Sequence, residues 1–204
     1  MDRDALWYHI DTQRAAAADI LAGLTEEHWG RPSLCDGWTV RDVAVHLAWQ
    51  DVKVREVLVP LLRARFDTDV MIRDTAIRSP ITHDQIVAKL RGFAGRRIKP
   101  PFVADTEPLI DVLVHTQDVC VPLSIEHVPS AEPVIVALDR TVKLNEGRMA
   151  LGPPVRGVRL VATDADWQHG SGKVIEGPLI WLLLTVAGRR AAHAHLSGEV
   201  SALS

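Results

Sequence analysis

The residues with most capacity for chemistry are His46, in the run Val40-Arg41-Asp42-Val43-Ala44-Val45-His46-Leu47-Ala48-Trp49, and the pair Asp111 and His115 in Asp111-Val112-Leu113-Val114-His115. On a helix, an i,i+4 spacing stacks Asp111 and His115 one turn apart on the same face. A second helix carrying His46 alongside them would complete two imidazoles and one carboxylate, the donor set of a metal site that keeps positions open for chemistry. Spacing alone leaves plainer readings open. A histidine in an apolar helix is commonly a core residue with one satisfied hydrogen bond, and an Asp/His pair at i,i+4 arises readily on an ion-paired helix face.

Hydrophobic spacing marks out the elements that must position these residues. Residues 4–24 carry Leu6, Ile10, Ala17, Ile20, Leu21 and Leu24 at near-helical intervals. Thr25 caps a short turn through Trp29, which Gly30, Pro32 and Gly37 break. A second long helix is expected from Thr39, with Asp42 as its capping partner and a stripe of Val43, Leu47, Val54, Val57, Leu58 and Leu61 that turns His46 inward. Residues 66–80 are mixed and charged and read as a long crossover connection. Thr82 with Gln85 opens a third helix, and Thr106 with Glu107 and Pro108 opens a fourth that Pro122 limits. Four helices with one long connection predict a four-helix bundle, an architecture in which facing side chains build metal sites.

Residues 130–143 predict a further helix. After Gly147 the pattern changes: residues 155–162 alternate as a strand, 164–166 turn, 167–175 return, and Pro178 opens an apolar helix over 179–187 that Gly188 ends. The expected class is therefore mainly α, with a helical bundle over residues 1–146 and a small α+β domain over residues 147–204.

Three ordered blocks carry a family resemblance. They are the run from Leu24-Thr25-Glu26-Glu27-His28-Trp29 through Cys35-Asp36-Gly37-Trp38 to His46-Leu47-Ala48, then residues 111–118, and then a C-terminal block with Asp164-Ala165-Asp166-Trp167, Gly177-Pro178, Gly188-Arg189 and Leu196-Ser197-Gly198. Together they resemble the DinB-like, mycothiol-dependent maleylpyruvate isomerase family. The resemblance implies a metal-binding four-helix bundle and a small sterol-carrier-like C-terminal domain. It further implies a divalent ion, usually taken as zinc, held by two histidines and a glutamate, positions that fall on His46, His115 and Asp111. Aspartate stands here where the family typically has glutamate, a loss of reach of about 1.5 Å for one C–C bond, so the helices must approach more closely or a water must bridge. Arg189 matches an arginine thought to help bind an anionic group, the competing reading being an ordinary surface arginine.

Composition narrows the setting. A net charge of -3 and a pI near 6.3 give no electrostatic footprint for nucleic acid. No basic segment followed by an apolar run opens the chain, and the apolar stretch 179–187 is too short to span a bilayer, so the expectation is a cytoplasmic protein without a membrane partner. A homodimer is left open. The 18 arginines against 5 lysines fit a GC-rich genome of the kind found in actinobacteria, where mycothiol is the main small thiol. Cys35 and Cys120 suggest neither a disulfide framework nor a metal cluster; Cys120 reads as a small buried hydrophobe, and no nearby positive charge marks Cys35 as a nucleophile. Any reacting thiol is thus expected from outside. Asp118, one turn beyond His115, is read either as an acceptor orienting that imidazole or as a helix-surface residue, and His193 and His195 as solvated.

The function implied by the resemblance is a mycothiol-dependent metalloenzyme of the maleylpyruvate isomerase type. In it, a metal-activated thiolate adds to an electrophilic small molecule, with Arg189 as an anion clamp. The alternatives are a mycothiol S-transferase that conjugates electrophiles, and a bundle that binds metal or ligand without turnover.

Overall fold

The computed structural model describes residues 1–101, 103–147 and 150–203. It is mainly helical with a small C-terminal sheet, and it divides into two compact units, residues 2–127 and residues 128–204. Two residues of the segment in which the change of pattern was expected, Arg148 and Met149, lie outside the described residues.

In the first unit, α1 (Arg3–Ala22) buries Leu6, Trp7, Ile10, Gln13, Arg14, Ala17, Ala18 and Leu21, one stripe at helical spacing. Asp2 caps it by accepting from the Ala5 amide at 2.8 Å. After the short α2 (Glu26–Trp29), α3 (Val40–Ala48) starts at the expected capping box: Thr39 N donates to Asp42 Oδ2 at 2.9 Å and Asp42 N to Thr39 Oγ1 at 3.2 Å. Thr82 and Gln85 cap α6 (His83–Arg91) in the same way. The fourth long helix is α7 (Glu107–Cys120), buried on nearly every side, with Pro108 in its first turn; Thr106 makes no side-chain cap. Helix α1 packs on α6 and α7, and α3 packs on the same two, which closes a four-helix core.

The second expected helix is interrupted. It ends at Ala48, and after a turn over residues 49–53 a separate helix, α4 (Val54–Arg63), begins, followed by α5 (Thr68–Arg78) inside what the charge pattern presented as a long crossover connection. Arg65 and Phe66, at φ 54° and 67°, turn the chain between α4 and α5. None of the ten residues of α4 is buried. No helix among the described residues is long and apolar enough to cross a membrane.

The second unit contains α8 (Ala131–Asn145), a four-stranded sheet and α9 (Leu179–Val186). The sheet is ordered β2 (Gln168–Gly170), β1 (Val158–Ala162), β3 (Lys173–Gly177), β4 (Ser197–Gly198). Strand β1 pairs antiparallel with β2 and parallel with β3, and β3 pairs antiparallel with β4. The returning stretch expected over 167–175 is thus two strands, divided at Gly170 and Gly172 with φ 84° and 116°.

At the end of α8 the side chain of Asn145, 5% exposed, uses both ends of its amide. Nδ2 donates to Val186 O at 2.7 Å and Pro153 O at 3.1 Å, while Oδ1 accepts from the amides of Leu151 at 2.8 Å and Gly152 at 3.2 Å. Truncating it strands several buried backbone groups at once. Asn145→Ala is expected to destabilise the second unit by about 2–3 kcal/mol, read from urea denaturation; an unchanged midpoint would show that water replaces the amide without loss.

Candidate metal centre

The three candidate ligands are placed by α3 and by the middle of α7, and the groups around them by packed loops of the first unit. The loop before α3 is pinned at both ends: Val40 N donates to Arg31 O at 2.9 Å, Ser33 N to Trp38 O at 2.9 Å, and Leu34 N to Asp118 O on α7 at 3.1 Å. Gly37 takes φ 76°, a left-handed turn that costs glycine little. This loop brings Cys35 against α7, while α3, docked on α7, brings His46 over Asp111.

The three expected ligands meet. His46 Nε2 lies 3.0 Å from Asp111 Oδ1, His115 Nε2 lies 3.5 Å from the same oxygen, and one donor atom from each of the three lies within 4.8 Å of the others. Donors bound about 2.1 Å from a single tetrahedral ion stand about 3.4 Å apart, so these residues fit a divalent metal of zinc's size. The two imidazole rings meet edge to face at 4.8 Å between centroids, and the Trp38 ring stands edge-on to His46 at 5.8 Å.

The second oxygen of Asp111 accepts from Gln50 Nε2 at 2.6 Å. Burial works against the charged form of Asp111, but the charge and hydrogen bond of His46, with the charges of His115 and Arg14, outweigh it and hold the carboxyl below its ordinary range. Arg14 is itself 3% exposed. Its Nη2 donates to Ile98 O at 2.7 Å and its guanidinium lies 5.1 Å from the centroid of Phe93 and 5.9 Å from that of Trp7.

Asp118 resolves the choice left open in the sequence. It is fully buried, and its Oδ2 is 2.8 Å from His115 Nδ1, an acceptor that keeps the proton on that nitrogen and leaves the Nε2 lone pair facing Asp111. The same oxygen accepts from the Cys35 thiol at 3.0 Å, and Cys35 Sγ lies 3.8 Å from His115 Nδ1. Cys35, Asp118 and His115 therefore form a second group of donors sharing the His115 ring. Sequence reasoning missed Cys35 and Gln50 as parts of the site: Cys35 is 83 positions from Asp118 and Gln50 61 from Asp111, and no periodicity links residues so far apart. Cys120 is buried, which pushes its thiol up to about 12 and removes it from thiol chemistry.

Arg189 lies in the second unit, where its Nη1 donates to Ala187 O at 2.6 Å beyond the end of α9. His193 and His195 lie in the 3-10 segment Arg190–His195, with the His195 ring stacked on Trp181 at 3.5 Å. Neither belongs to a group of three potential metal donors among the described residues.

His46 and Asp111 also line one end of a cavity of about 530 Å³ whose walls come from α4, α5 and the segment before α7.

The matching family and the similar structures bear on the same region. Residues 10–99 match the family model described as the mycothiol maleylpyruvate isomerase N-terminal domain. No curated protein matches the sequence. Among solved structures, a histidine-to-alanine mutant of a mycothiol-dependent maleylpyruvate isomerase superposes with a TM-score of 0.61 at 15% identity. A second structure of a mycothiol-dependent maleylpyruvate isomerase superposes at 0.51 and 14% identity. Each comparison covers 98% of this chain and 93% of the other, and so shows a common fold over nearly the whole length. The stretch similar to the mycothiol maleylpyruvate isomerase N-terminal domain holds most of α1, helices α2 through α6 and His46.

Proposed function

We propose that this protein is a thiol-dependent metalloenzyme in which His46, Asp111 and His115 hold a divalent ion, of which zinc suits the donors, and in which mycothiol adds to an electrophilic small molecule as in the maleylpyruvate isomerase type. The observation that carries this reading is the meeting of two imidazoles and a carboxylate, at 3.0 and 3.5 Å, at the end of a cavity large enough for a substrate. An ion held there would stabilise a bound thiol as its thiolate at neutral pH.

The protein's own groups prepare the site. Asp118 fixes the His115 tautomer, Gln50 restrains the free oxygen of Asp111, and Trp38 limits rotation of the His46 ring. The largely apolar cavity beside the ligands offers few polar groups to compete with a substrate for the thiolate. Isomerisation regenerates the thiol, whereas S-conjugation consumes it, so thiol counted against product separates the two.

Elemental analysis of protein purified without a metal-affinity column tests the premise. His46→Ala, His115→Ala and Asp111→Ala are each expected to abolish metal retention and thiol-dependent turnover, while His193→Ala and His195→Ala retain metal. Equal losses in all five would reject the assignment. Asp111→Glu should keep or raise metal content, and Asp118→Asn should weaken affinity by about 10–100-fold by loosening His115.

Metal-free protein gives an independent check. The Asp111 carboxyl is held below its ordinary range when folded, so its charge stabilises the fold above the unfolded value and that contribution disappears as pH falls through the lower, folded value. In chelator, the stability deficit of Asp111→Asn relative to wild type should therefore be present at neutral pH and shrink in strong acid. A deficit that grows on acidification would contradict the electrostatic account.

A further inference from the structure

The cavity beside His46 and Asp111 has a chemistry of its own. Its wall is formed by Val57, Leu58 and Leu61 of α4, Met71 and Ile72 of α5, and Pro101. Among its lining residues His46 and Gln50 both contact Asp111, and Glu107 stands one turn before Asp111 on α7. The residues lining the cavity include no lysine or arginine among those described, and the two acidic ones, Asp111 and Glu107, share a sign. Arg14, the cation whose charge reaches Asp111, is bound to the Ile98 carbonyl, lies against two aromatic rings, and does not line the cavity.

Such a space treats ligands unequally. An ion held by His46, Asp111 and His115 would take one carboxylate of an unsaturated diacid, but the other would give up water for an apolar wall with no lysine or arginine among the described lining residues to pair with it. An uncharged molecule meets the opposite balance. Leu58 of α4 remains 57% exposed, as does Val54, which also lines the cavity, so apolar surface still wet in the free protein is there for a ligand to cover.

We infer that this cavity is a binding site for an apolar, uncharged electrophile, of the class of medium-chain or aromatic α,β-unsaturated aldehydes and ketones, and that it disfavours dicarboxylic acids. The inference rests on the thiol-dependent reading for its chemistry and on the cavity for its specificity. In the reaction, the sulfur of the external low-molecular-weight thiol forms a bond to the β-carbon as the C=C π bond breaks. The electron pair passes to the α-carbon and carbonyl oxygen, and the proton given up by the thiol ends on the α-carbon. The product is a neutral thioether, no atom leaves, and no external oxidant or reductant is required.

The experiment uses the full-length protein, loaded with zinc, and mycothiol. For the enal series from 2-pentenal to 2-nonenal, kcat/KM is expected to rise at least about tenfold and to exceed that for an unsaturated diacid such as maleylpyruvate. Unreactive 2-nonanone, titrated calorimetrically into metal-free protein without thiol, should bind, and octanoate should bind at least about tenfold more weakly. Leu58→Lys, a change at a half-exposed wall position, should leave metal content unchanged, lower kcat/KM for 2-nonenal about tenfold and raise that for the diacid. A diacid preferred over the enals, above all one whose turnover collapses in Arg189→Ala, would overturn the inference while sparing the thiol-dependent reading. Tight binding of 2-nonanone with no turnover of any electrophile would overturn that reading and the electrophile assignment with it. Failure of 2-nonanone to bind would overturn the specificity argument whatever the turnover.

Discussion

Two carboxylates and two imidazoles share one region of the helical unit, and their charges and protons have to be matched where water is scarce. Asp118 is fully buried, and a buried carboxylate without donors costs several kcal/mol, yet here it receives both His115 Nδ1 and the Cys35 thiol on one oxygen. Asp111 takes Gln50 on one oxygen and faces His46 and His115 with the other. The His115 ring is therefore held between two carboxylates, one at each nitrogen. Such an arrangement is satisfied by protons on the rings or by a cation shared among the donors, and this is the electrostatic reason why the same residues that stabilise the metal-free fold are suited to metal.

The local fold serves that balance. The loop before α3 carries Cys35 to Asp118 only because Leu34 N and Asp118 O are hydrogen-bonded across the loop–α7 contact. The end of α3 at Ala48 is equally consequential. Gln50, four residues after His46, keeps to the same side and meets Asp111, while the turn over residues 49–53 lets α4 set off separately and line the cavity. The helix that follows the interruption thus lines the space beside the ligands.

What was legible in the sequence follows from the range of the interactions concerned. Capping boxes act over three residues, so Thr39 with Asp42 and Thr82 with Gln85 marked helix starts that the structure reproduces. The Asp111/His115 pair acts over one turn and was visible for the same reason. The break after α3 was not. No glycine or proline lies in Trp49-Gln50-Asp51-Val52-Lys53, and the apolar stripe resumes at Val54, Val57 and Leu58, so the periodicity ran on through a point where tertiary packing stops the helix. Helix α5 was hidden by its charges, since Arg73, Asp74 and Arg78 pair along its own surface and leave only Met71 and Ala76 buried. Cys35 and Gln50 belong to contacts that only the assembled fold creates.

The shorter carboxylate at position 111 raises a question of distance that the core composition answers. A side chain one methylene shorter than glutamate reaches a shared ion only if its helix and that of His46 approach more closely. Helix α3 contributes Ala44 and Ala48 to the core it shares with Val112 and Val119 of α7, alongside Val43 and Leu47. Helix separations in proteins run from about 8 to 10 Å according to the side chains at the contact, and alanine and valine permit the lower end. His46 Nε2 lies 3.0 Å from Asp111 Oδ1, so the packing of α3 on α7 brings the shorter carboxylate within hydrogen-bond reach of the imidazole. A larger residue at Ala44 or Ala48 would press the helices apart and separate His46 from Asp111 while leaving every donor in the sequence.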